Sequence, residues 1–159
     1  ISHNDINEEI ISNIRNLEEN KIISFLKEII KEVNVTPHGP TEIADIFSTK
    51  VHVRGEKRIC GFVIKGKSQP KVSSKVIAHQ FYKLQTIPNI ELMILVATGH
   101  IQDDAYRDFI QTANNKKCSY LIIDAHELAR LFIAYKKICF RDGTPFCDEG
   151  ICSYGHKRN

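Results

Sequence analysis

Apolar positions recur along the chain with two different periods, and the switch between them marks out the elements. Ile6, Ile10, Ile14 and Leu17 make one helical stripe, and Ile22, Leu26, Ile29 and Val33 continue it. The polar step at 19–21 predicts a break in that helix, and Asn34, Pro37, Gly39 and Pro40 predict its end. Residues 43–53 (IADIFSTKVHV) alternate and read as a strand. Gly55, Glu56 and Lys57 read as a turn, and 58–65 (RICGFVIK) as a more buried strand that closes a hairpin. After a basic loop at 66–73, Ser73 or Ser74 caps a helix to about Thr86, with Ile77, Phe81 and Leu84 inward. Two continuous apolar runs follow at 91–98 and 118–124, with a helix from Asp103 between them. Such runs predict buried, parallel strands. A last helix starts at Asp124 or Ala125 and carries Leu128, Leu131, Phe132 and Tyr135.

The order predicts an α/β domain over 1–136 with three layers. A mixed central sheet of about four to five strands is antiparallel in its first half, parallel in its second, and flanked by helices. Residues 137–159 form a Cys-rich C-terminal tail, read as a small zinc module or a linker. Cys139, Cys147, Cys152 and His156 are its candidate zinc ligands, although no Cys-x-x-Cys pair is present.

Composition adds little until it is divided. The chain has 159 residues, 42% hydrophobic and 26% charged, which suits a globular core. No run reaches the roughly 18–20 apolar residues of a membrane span. The start lacks the basic and apolar segments of a secretory signal, so a reducing cytoplasm is expected, with Cys60 and Cys118 as small core residues. An N-terminal Ile and the ending GHKRN suggest a processed or truncated product with further domains outside it. The net charge of +3 hides a strong asymmetry. Residues 1–49 carry 4 basic and 9 acidic side chains, whereas 50–85 carry 9 basic and only Glu56. A basic block of that kind fits a polyanionic partner, and equally a solvated surface.

The stretch 39–67 puts Glu42 and Asp45 at the start of one strand and Lys65 and Lys67 at the end of the next. A hairpin brings such positions together. Carboxylates there would hold Mg²⁺ or Mn²⁺, and a lysine would orient the attacking water and stabilise charge on a phosphodiester. A plain salt bridge at a sheet edge would use the same residues.

The ordered set of motifs resembles the PD-(D/E)xK nuclease superfamily, in particular its Mrr-like restriction-endonuclease branch. GPTEIAD with Asp45 resembles the metal-binding loop, and GFVIKGK with Lys65 the strand that ends in the catalytic lysine. Gln80 in IAHQFYKL, the turn in ILVATGHIQDDAYRDF, and LIIDAHELARLF resemble the elements that follow. The resemblance covers about 39–135. It implies a metal-dependent endonuclease of the restriction or phage-defence kind acting on double-stranded DNA. Asp45 and Glu42 would hold the metal, and Lys65 and Gln80 would be catalytic. A homodimer is expected by analogy alone. One position departs from the pattern: Val63 stands two residues before Lys65, where the family has Glu, Asp or Gln. Either Glu42, Glu28 or Glu32 supplies the missing carboxylate, or the domain binds nucleic acid without cutting it. An interaction domain of a larger defence protein is a third reading.

Among smaller candidates, Lys67, Lys71 and Lys75 suit phosphate contacts. Tyr82 suits stacking on a base. His79 and His100 show no metal spacing.

Overall fold

The computed structural model describes residues 5–30, 46–53, 56–147 and 149–158. Two helices open the chain, α1 (Glu8–Arg15) and α2 (Glu19–Ile30). The break falls at 16–18, slightly before the polar step the sequence suggested. Asn16 closes α1 with its N–H shared between Ser12 and Asn13 carbonyls, and Leu17 then turns into the core. At the other end the Asn7 side chain accepts from Ile10 N at 2.9 Å, an N-cap that removes one orphan donor.

The strands and later helices follow as β1 (Ile46–Val53), β2 (Glu56–Lys65), β3 (Lys71–Val72), α3 (Ser74–Leu84), β4 (Leu92–Ala97), β5 (His100–Ile101), α4 (Asp103–Asn115), β6 (Ser119–Ile123) and α5 (Ala125–Ala134). The main sheet has the order β1-β2-β4-β6. β1 runs antiparallel to β2, whereas β2, β4 and β6 are parallel. Among the described residues it has four strands, not the five that the sequence also allowed. Among the described residues the short β3 and β5 pair only with each other. Two residues have no period to read, so nothing in the sequence announced this second ladder.

Alternate residues of the sheet feed two separate cores. Cys60, Phe62, Ile64, Leu92, Ile94 and Val96 pack with α1, α2 and α5. Val63, Met93, Leu95 and Ala97 pack with α3 and α4 on the other side. Helices thus cover both faces, as continuous apolar strands require. Phe25 and Phe132 meet edge to face at 5.2 Å in the first layer, and Phe81 lies 4.9 Å from Phe109 in the second. Gly61 makes room for α3: a Cβ there would sit 2.6 Å from Leu84 Cδ2.

Near the amino end of the parallel strands, Arg58 pairs with Glu91 at 3.2 Å, and Glu91 N donates to Ile59 O. The connection from α3 to β4 turns at Asn89, with φ 58°, beside exposed Pro88. No helix among the described residues is long and apolar enough to cross a membrane.

Cys60 is fully buried, and burial, helped by the Glu91 charge, pushes its thiol up to about 12. The folded state therefore holds the neutral thiol. That contribution is complete below the ordinary value near 9 and is lost as pH rises from there towards about 12. Denaturation midpoints measured at pH 8 and 10.5 should fall with pH in the native sequence and fall less in Cys60→Ala. Equal slopes would remove this account.

Candidate functional site

Two places gather chemistry. The first is the carboxyl edge of the parallel strands, where open α/β sheets commonly bind ligands. Lys65 ends β2 beside Ala97, the last residue of β4. Thr98 N donates to Lys65 O at 3.1 Å, which locks the two strand exits together. Lys65 is only 9% exposed, so its side chain is largely packed at the strand exit. Thr98 is fully buried, and its Oγ1 has no hydrogen-bond partner among the described residues. β1 starts at this same edge, because Ile46 pairs with Phe62 in an antiparallel register. Asp124 follows β6 and accepts from Glu127 N at 3.0 Å, capping α5.

The sequence candidates fall around this edge unevenly. Asp45, Glu42 and Glu32 lie outside the described residues. Glu28 is paired with Lys137 across the surface. Val63 is fully buried among the α3 and α4 side chains, so the position two before Lys65 offers no ligand. Gln80 is half-buried on α3. Lys67 follows the strand exit: its N–H donates to Leu17 O, and its Nζ pairs with Glu18 at 3.1 Å. Lys71 and Lys75 are exposed at the starts of β3 and α3; His79, in the middle of α3, and His100, at the start of β5, are exposed too. Tyr82 is 69% exposed.

The second place is the tail, which folds back on α1. Ile138 is buried in the α1/α2/α5 core. Asn13 Nδ2 donates to Asp142 O at 2.6 Å, and Gly143 lies so close to α1 that a Cβ would be 2.9 Å from Ile10 Cα. Short antiparallel bridges (Ile138 with Pro145, Phe146 with Cys152, Ile151 with Lys157) hold the rest.

These bridges bring Cys139, Asp142, Cys152 and His156 together, with all ligand atoms within 4.8 Å of one another. Cys139 Sγ lies 3.1 Å from His156 Nδ1, and Asp142 Oδ2 lies 3.1 Å from the same nitrogen. The four residues could hold a metal ion. Cys147, which the sequence placed with them, is exposed and stands outside the cluster. Asp142 takes its place.

Electrostatics inside the cluster are mixed. Burial pushes the Asp142 carboxyl up, but hydrogen bonds from Thr144 and the His156 charge outweigh it and hold the group below its ordinary value. Burial raises the Cys139 thiol. Burial also acts on Cys152, yet the Thr144 hydroxyl and the amides of Tyr154 and His156 leave that thiol lowered.

A cleft of about 510 Å³ between the α1–α2 connection and the tail is lined by Lys21, Lys67, Thr144 and Tyr154 among others.

Sequence reasoning missed Asp142 and Thr98. The first was legible as Cys-x-x-Asp-Gly at 139–143, had Asp been counted with Cys and His. The second followed a buried strand as an ordinary Ala-Thr-Gly turn, with nothing local to say its hydroxyl would be unpaired. No protein-family model matches the chain, and no curated protein matches it.

Proposed function

We propose that the domain is a metal-dependent endonuclease that hydrolyses phosphodiester bonds in double-stranded DNA, in restriction or phage defence, on a restriction-endonuclease-like fold. The observation that carries the reading is the packed Lys65 beside the unpaired Thr98 hydroxyl, at the edge where β1 begins. Asp45 immediately precedes β1 in the sequence. The topology agrees with the ordered motifs of the sequence.

In this reading Asp45, with Glu42 or Glu32, holds Mg²⁺ or Mn²⁺, which takes oxygen ligands. When bound, such an ion polarises the phosphate and acidifies water. Lys65 hydrogen-bonds a non-bridging phosphate oxygen and stabilises the charge that grows as water adds to phosphorus and the sugar oxygen leaves. Gln80 assists Lys65, and Lys67, Lys71 and Lys75 meet the DNA backbone. Zn²⁺ in the tail belongs to a separate, structural role.

A plasmid-nicking assay with Mg²⁺ or Mn²⁺ and an EDTA control tests this. Cleavage is expected with either ion, and Asp45→Ala should abolish it; undiminished cleavage by that variant would remove the assignment. The buried Val63 favours a second reading, a nuclease-fold domain that binds DNA and does not cut it. It predicts binding that weakens steeply with salt and no metal-dependent nicking.

A further inference from the structure

We propose that Cys139, Asp142, Cys152 and His156 form a closed, four-coordinate Zn²⁺ site that folds the tail and fastens it to α1. This stands whether or not the sheet edge cuts DNA.

The donor set selects the ion. Two thiols, one imidazole nitrogen and one carboxylate oxygen suit Zn²⁺, whereas Mg²⁺ and Ca²⁺ want oxygen throughout. Four protein ligands leave no open position, which is the structural rather than the catalytic pattern. Zn–S near 2.3 Å and Zn–N or Zn–O near 2.0 Å put tetrahedral ligands roughly 3.3–3.8 Å apart. The cluster already has 3.1 Å from Cys139 Sγ to His156 Nδ1, 3.1 Å from Asp142 Oδ2 to His156 Nδ1, and 3.8 Å from Cys152 Sγ to Asp142 Oδ2. The six pairs all lie within 4.8 Å, so shifts of up to about 1 Å would bring the set to a coordination shell.

The supporting groups point the same way. Thr144 gives both its N–H (2.8 Å) and its hydroxyl (2.6 Å) to Asp142 Oδ1. Oδ2 is thereby left facing the other three ligands. A carboxylate held by one oxygen and offered by the other is the usual outer support of a metal ligand. His156 N also donates to Cys152 Sγ at 3.3 Å, which favours a thiolate.

Local backbone explains the membership. Gly143 N returns to Cys139 O, and Gly155 N returns to Cys152 O, with φ of 81° and 86° at the two glycines. Each turn presents two ligands, Cys139 with Asp142 and Cys152 with His156. A third turn of the same kind, Gly150 N to Cys147 O, faces outward, so Cys147 is exposed and takes no part. Among the described residues of the tail, three bridges and few buried apolar side chains are little to hold a segment of this length, the situation in which small folds rely on a metal. Cys139, Cys152 and Asp142 are buried together, at 1%, 5% and 3% exposure, which shields the ligand set from water.

The test uses the whole chain purified under reducing conditions with Zn²⁺ supplied. Elemental analysis should find about one zinc per chain in the native protein and in Cys147→Ser. Competition with a chromophoric chelator should show Asp142→Ala binding Zn²⁺ at least about 100-fold more weakly. Co²⁺ in place of Zn²⁺ should give the visible bands of a tetrahedral, thiolate-bound ion. Because Asp142→Ala could unfold the tail, thiol alkylation of the native chain gives an independent readout. Cys139 and Cys152 should be protected until a chelator is added, while Cys147 reacts throughout. Absence of bound zinc, zinc lost from Cys147→Ser, or equal alkylation with and without chelator would each overturn the proposal.

Discussion

Replacing Lys65 by Met is expected to slow metal-dependent DNA cleavage by about 10²–10³-fold, the usual cost of removing one group aimed at developing charge. Stability should not fall. Lys65 is 9% exposed, and its alternate-residue neighbour Val63 is fully buried in an apolar cluster. Methionine keeps the length of the stem and removes a charge from a largely desolvated place. Cleavage rates measured beside thermal melts separate the two effects. A Lys65→Met protein that cuts at the native rate would end the role given to Lys65. If the native chain binds duplex DNA at low salt and never nicks it, the non-cutting reading holds instead.

The second large effect is expected at Gly66. A Cβ there would sit 2.5 Å from Glu19 N and 2.9 Å from Leu17 O. Both are backbone atoms, one on the α1–α2 connection and one on the first residue of α2, and the connection also receives the Lys67 N–H at 3.0 Å. Main chain cannot swing aside as a side chain can, so either this connection or the exit of β2 must move. Gly66→Ala should therefore cost near the upper end of ~1–3 kcal/mol. By displacing Lys65 next door it should also lower cleavage. Gly61→Ala is the comparison, since its Cβ would meet the flexible end of Leu84 at 2.6 Å. Urea midpoints decide the matter. If Gly66→Ala costs no more than Gly61→Ala, the backbone contact does not constrain the strand exit.

Much of the architecture was legible because periodicity is a direct image of burial. The run at 91–98 had no polar face, and β4 is buried throughout. The run at 118–124 does form a parallel strand, but among the described residues β6 is the sheet's edge, with Tyr120 and Leu121 exposed, so its expected burial is not met. Ile77, Phe81 and Leu84 marked the inner face of α3, and all three are buried. What escaped was set by distant contacts. β3 and β5 exist because two loop segments meet at the sheet's carboxyl edge. Cys139, Cys147 and Cys152 each begin a glycine turn, so local sequence could not say which would face inward. The docking of Asp142 and Gly143 on Asn13 and Ile10 of α1 decides it. The readings of Asp45, Glu42 and Glu32 rest on the sequence, since these residues lie outside the described ones.

The parallel strands also give the domain a back. Pro88 is exposed on the α3–β4 connection, at the end of β4 opposite Thr98. Six strand residues, Leu92–Ala97, separate the two ends by roughly 20 Å. A fluorophore on a cysteine placed at Pro88, with the exposed Cys147 replaced by Ser, would stay clear of the Lys65 edge, yet within energy-transfer range of a dye on DNA offered to that edge. Docking and cutting could then be timed separately in one experiment.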